Sequence, residues 1–98
     1  MPVIVLLRFS QKTGKIDTTI TSLSSAMLSL WALQHTTRTK ASLIVERDTG
    51  RVINIYEGTV SGFPSRKEGH LGTIEDYGIS LENLKQIKDD RFDKETEK

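Results

Sequence analysis

Apolar and polar positions along the chain sort into short strands and two helices. Val3 to Phe9 is apolar at both parities apart from Arg8, the pattern of an interior strand with both faces at least partly covered. Ser10 to Lys15 reads as a turn, and Ile16 to Ile20 as a short strand that pairs back on the first as a hairpin. Alternation is cleanest between Lys40 and Glu57. There Asp48-Thr49-Gly50 reads as a three-residue hairpin loop with Gly50 in the left-handed region. The register pairs Arg47 with Arg51, Val45 with Ile53, Leu43 with Ile55 and Ala41 with Glu57, which puts the apolar members on one face. The opposite face, Ser42, Ile44, Glu46, Val52, Asn54 and Tyr56, is mixed, so partial cover is expected there too.

Between the two hairpins the period changes to that of a helix. Leu23, Ala26, Met27, Leu30, Trp31 and Leu33 form a wide apolar stripe, with Thr21 or Ser22 as the N-cap and an end near Gln34 to Thr37. This stripe is expected to face the sheet. The other side then carries Ser22, Ser25, Ser29, Ala32 and Thr36. No Asp, Glu, Lys or Arg occurs in the twenty residues from Thr18 to Thr37, although 28% of the chain is charged. A surface helix normally turns charge toward water. A neutral outer stripe of small residues therefore predicts a covered surface, occupied by a second copy of the protein or by the long loop or last helix of the same chain. Ser22, Ser25, Ser29 and Ala32 are the expected interface residues.

Residues 58–79 hold five of the seven glycines and Pro64, and read as a long loop with one more short strand at Leu71 to Glu75. Ser80 caps a last helix, Leu81 to about Arg91, with Leu84 and Ile87 turned inward. The order of elements predicts an α+β fold: one small domain over residues 1–91, with an antiparallel sheet of four or five strands and two helices packed on one face. Residues 92–98 read as a charged, fraying tail.

Composition narrows the chemistry. The chain has no cysteine, which excludes disulfides, a thiolate nucleophile and a cysteine zinc site, and fits a cytoplasmic setting. A net charge of +1 provides no general attraction to nucleic acid or anionic membrane. Residues 18–37 are long enough to span a bilayer, but nine of the twenty are Ser or Thr, which argues against a span. The start, MPVIVLLRF, lacks the basic n-region of a signal peptide.

The densest group of donors lies in the loop. Ser65, Arg66, Lys67 and His70, with Gly62 and Gly69 allowing close backbone approach, form an expected site for a small anionic, phosphorylated or nucleotide-like ligand. Their spacing matches neither a P-loop nor a dinucleotide fingerprint. Glu75 and Asp76 are adjacent, and neighbours on an extended segment point to opposite sides, so a metal or acid–base pair is disfavoured and Asp76 is expected to orient the turn at Gly78. His35 is expected at a helix C-terminus in a structural role, and no Ser/His/Asp arrangement supports a triad. The basic pairs Arg38 with Lys40 and Arg47 with Arg51 are diluted by Glu46, Asp48 and Glu57, which weighs against nucleic-acid readout.

No catalytic residue, metal or cofactor is assigned. The expected function is a small non-enzymatic, self-associating binding protein with a small anionic ligand at the Gly-rich loop, a profile shared by sequestering or inhibitory proteins of phages and mobile elements. Two alternatives remain. One is an interaction or inhibitor module that blocks a larger partner through the hairpin or the neutral helix. The other is a small hydrolase using His70 with Glu68, Glu75 or Asp76.

Overall fold

The computed structural model describes residues 3–59 and 64–86. Five strands are present: β1 (Ile4–Ser10), β2 (Ile16–Ser22), β3 (Lys40–Glu46), β4 (Val52–Glu57) and β5 (Ser65–Glu68). They form one antiparallel sheet in the order β2-β1-β3-β4-β5. Helix α1 (Ser25–His35) connects β2 to β3, and a 3-10 turn (Ile74–Tyr77) and helix α2 (Leu81–Lys85) follow β5. The α+β architecture expected from the sequence is present.

The two helices lie on opposite faces of the sheet, not on one. Val5, Leu7, Leu43, Val45, Val52 and Ile55 point to the face closed by Ile74 and Leu84. Ile4, Leu6, Ile20, Ile44 and Tyr56 point to the face closed by Leu28 and Ala32 of α1. Both parities of β1 and β3 are apolar, so both faces need cover, and a single helical layer cannot supply it. Burying each large aliphatic side chain contributes roughly 1.5–3 kcal/mol, so both layers stabilise the fold.

The β3–β4 hairpin keeps Leu43 opposite Ile55 but departs from the expected register nearer the turn. A bulge between Ile44 and Val45 sets Val45 opposite Val52, replacing the expected Val45–Ile53 pair. The tip loop is one residue longer than expected, spanning residues 47–50, with Glu46 N donating to Arg51 O and Gly50 N donating to Glu46 O. The extra residue turns Val52 onto the same face as Val45, where it is buried. Gly50 does adopt the expected positive φ, +75°. A Cβ there would lie 3.1 Å from Ile74 and 3.2 Å from Leu81, so the tip also seats the segment that follows β5.

That segment differs from expectation. The strand after the long loop is Ser65–Glu68, while Leu71 to Glu75 forms only a bridge, Arg51 with Thr73, before the 3-10 turn. Ile74 N donates to Gly50 O and Val52 N to Gly72 O, which ties this stretch to the hairpin tip. Helix α2 begins at the expected cap, where Asn83 N donates to Ser80 Oγ at 3.2 Å. The expected inward Ile87 lies outside the described residues.

Candidate binding surfaces

Helix α1 begins later than expected. Its N-cap is Ser24, whose hydroxyl accepts from Met27 N at 3.3 Å, and Ser22 Oγ in turn accepts from Ser24 N at 2.9 Å. The face turned to the sheet is the reverse of the expected one. Leu28, Ala32 and Thr36, spaced by four, are buried at 2%, 0% and 5% exposure. The row expected to be inside is outside: Leu23 is 56% exposed, Met27 65%, Leu30 61% and Leu33 47%. Ala32 is therefore excluded as an interface residue. Ser25 is exposed, and Ser22 and Ser29 are half-buried.

Close packing explains the inversion. The strands beneath α1 bring up large side chains, Leu6, Ile44 and Tyr56, so the helix approaches on small ones. A buried hydrogen bond, Thr36 Oγ1 to Ser42 Oγ at 2.9 Å, joins the end of the helix to β3. The Tyr56 hydroxyl is enclosed on β4 without a hydrogen-bond partner among the described residues. The close approach continues past the helix, because Gly58 lies directly against the Thr37 carbonyl and has no room for a Cβ.

The C-terminal end of α1 is held by a polar cluster that the sequence pattern did not single out. A bulge between Arg8 and Phe9 leaves Asp17 as the extra residue of β2. Asp17 accepts from Arg8 Nε at 3.0 Å and pairs with Lys40 Nζ at 2.6 Å. Burial alone raises its pKa, but hydrogen bonds from Lys40, Arg8 and Thr18 outweigh this and hold the carboxyl at about 2, below its ordinary 3.8. Arg8 also donates to His35 O at 3.3 Å and lies 5.5 Å from the Trp31 ring, which stacks on His35 with centroids 4.2 Å apart. A cation at a helix C-terminus is favourable, so the cluster fixes the helix end. His35 occupies the structural position expected for it. The only advance sign was the Arg8 that interrupts the apolar strand.

The expected anion site does not assemble as a unit. Ser65, Arg66 and Lys67 belong to β5, and successive residues of a strand point to opposite faces. Arg66 lies 3.4 Å from Glu68 on the α1 face, while Lys67 lies 3.1 Å from Glu57 on the other. Each cation thus already has a carboxylate. Gly62 lies outside the described residues. Gly69 (φ +109°) and exposed His70 follow the strand and line a separate hollow of about 470 Å³ with Arg51 and Gly72. Asp76 has a local role, but at the start of the 3-10 turn and not at Gly78, where it was expected: its carboxylate accepts from Thr73 N at 3.1 Å. Among the described residues no group of three or more His, Asp or Glu is placed to hold a metal ion.

Three further concave regions stand out among the described residues. On the α1 face, beside the helix, an open groove of about 640 Å³ has Ser25, Ala26 and Ser29 as one wall, Ile53 and Asn54 as floor, and Arg66 and Glu68 as the other wall. On the opposite face a groove of about 690 Å³ is floored by Ala41, Leu43 and Ile55, with Phe9 and Tyr77 at its sides and the Glu57–Lys67 pair at its rim. A notch of about 170 Å³ between β2 and α1 is lined by Ile20, Met27 and Trp31. No helix among the described residues is long and apolar enough to cross a membrane. Compared with known families, curated proteins and solved structures, the chain has no match among them, so the functional reading rests on this geometry.

Proposed function

We propose that the protein is a non-enzymatic binding module that acts by protein–protein association, with the outer face of α1 as its recognition surface. The observation that carries this reading is the exposed row Leu23, Met27, Leu30 and Leu33, with Leu23 just before the N-cap and the other three on α1, inside the chain's longest charge-free run. Large apolar side chains clustered outward on a helix mark interaction sites, whereas single exposed apolar residues need no explanation. A photo-crosslinking amino acid placed at Leu30 in producing cells is expected to give a discrete protein adduct, and the same group at Lys67 to give none. Absence of any adduct at positions 27, 30 and 33 rejects the reading.

A small phosphorylated ligand is the second reading, favoured by one feature. Arg51, which also lies 3.8 Å from Glu46, and His70 share a hollow with Gly69 and Gly72, and glycine backbone amides combined with side-chain donors suit an anion. Thermal-shift screening with nucleotides is expected to find a stabiliser whose effect Arg51→Ala with His70→Ala removes, because a ligand that binds only the folded state raises its stability.

A further inference from the structure

We infer that the partner seated on the outer face of α1 is a second copy of this chain, related by a twofold axis, with the outer row of each helix packed into the groove beside the other's α1. This rests on the recognition surface proposed above and names its occupant.

Three observations favour self-association over a foreign partner. The first is electrostatic. Around a twofold axis each residue meets its own surroundings again, so any net charge on the patch repels itself. The chain's twenty-residue neutral run supplies the helical part of this surface, and a net charge of +1 leaves little repulsion between whole molecules. A surface evolved for an acidic or basic partner carries the complementary charge, and α1 carries none.

The second is geometric. Helix α1 packs on β1, β2 and β3, and leaves the β4–β5 half of the same face as the groove described above. Knob and hole therefore sit side by side on one face, the arrangement an isologous contact requires. Rotation about an axis running along the helices lays the second α1 beside the first, in one helical layer between two sheets. Ala26 and Ser29, small residues on the groove flank, then permit helices to approach at about 8–10 Å. Leu23, Met27 and Leu30 of each copy cover Ile53 of the other.

The third is the state of the groove's own charges. Arg66 is 3.4 Å from Glu68 and Arg51 is 3.8 Å from Glu46, so the rim is already paired within one copy and the apolar row meets no isolated charge. The helix is only 11 residues long, about 16 Å. Its contact lies at the small end of stable interfaces, so the dimer is expected to dissociate in the micromolar range, roughly 1–100 µM.

The test uses the purified chain and its lack of cysteine. Sedimentation is expected to show a dimer at high protein concentration that becomes monomer on dilution. Leu30→Glu is expected to be monomeric throughout, with the circular dichroism of the wild type showing that it still folds. Ala26→Cys is expected to form a covalent dimer on mild oxidation, while Lys12→Cys in the β1–β2 turn does not. A wild-type chain that stays monomeric at millimolar concentration overturns the inference, as does a dimer that survives Leu30→Glu. If that monomer nonetheless gives crosslinks at Leu30 to another protein in cells, the second copy is rejected and the recognition surface stands. If it gives none, both fall.

Discussion

The two sides of α1 make the most instructive contrast in this molecule. The inner side meets the sheet through Leu28, Ala32 and Thr36, while Leu23, Met27, Leu30 and Leu33 face outward. By hydrophobicity alone the assignment should be reversed. Shape decides otherwise, because the strand side chains beneath are large and a close approach needs small partners. The larger apolar surface is left on the outside, where an unpaired chain gains nothing from it. The inner face is thus a packing solution, and the outer face is the surface proposed above for association.

The contrast can be broken most severely at Gly58. Its backbone lies against the Thr37 carbonyl just beyond α1, so a Cβ would force β4 and the helix end apart. Gly58→Ala is expected to lower stability by about 3 kcal/mol or more in urea denaturation, since the obstructing atom is backbone and cannot rotate away.

The two faces are compared directly by Ala32→Leu and Leu30→Gln. The first adds volume where exposure is 0% and is expected to cost about 1–3 kcal/mol through overpacking. The second lies where exposure is 61% and is expected to leave the monomer within about 0.5 kcal/mol of wild type. Equal losses at both positions, measured below the dissociation range, would mean that the helix is rotated from the orientation described.

Acid titration sharpens the same contrast by loosening only the pinned end of the helix. Asp17 has a folded pKa of about 2 against an ordinary 3.8, so the unfolded chain binds more protons between those values. Its contribution is therefore complete above about pH 4 and is lost as pH falls toward about 2. Asp17→Asn is expected to cost on the order of 1–2 kcal/mol at neutral pH, allowing for partial exposure, and to flatten the acid limb of the stability curve in that window. An acid limb identical to wild type would show that Arg8 and Lys40 gain nothing from the carboxylate.

Much of the fold was legible because strand and helix periods are local. β1, the β3–β4 hairpin, Gly50 at positive φ and the Ser80 cap all follow from spacing and turn chemistry. Less of the candidate sites was legible. Ser65, Arg66 and Lys67 looked like a donor cluster because they are adjacent in sequence, but in β5 that adjacency places Arg66 and Lys67 on opposite faces. The Arg8–Asp17–Lys40 cluster was invisible for the opposite reason: its members are distant in sequence and are joined by a bulge and a strand pairing.

The sequence by itself determined that β1 and the β3–β4 hairpin form, that both faces of the central strands need cover, and that α1 carries no Asp, Glu, Lys or Arg. It did not determine which way α1 turns. A helix with apolar residues on both sides has no strong local preference for orientation. The choice depends on the summed fit of Leu28, Ala32 and Thr36 against Leu6, Ile44, Ser42 and Tyr56, contacts that exist only once three strands have paired. The tertiary structure made that choice, and with it decided that Leu23, Met27, Leu30 and Leu33 remain exposed.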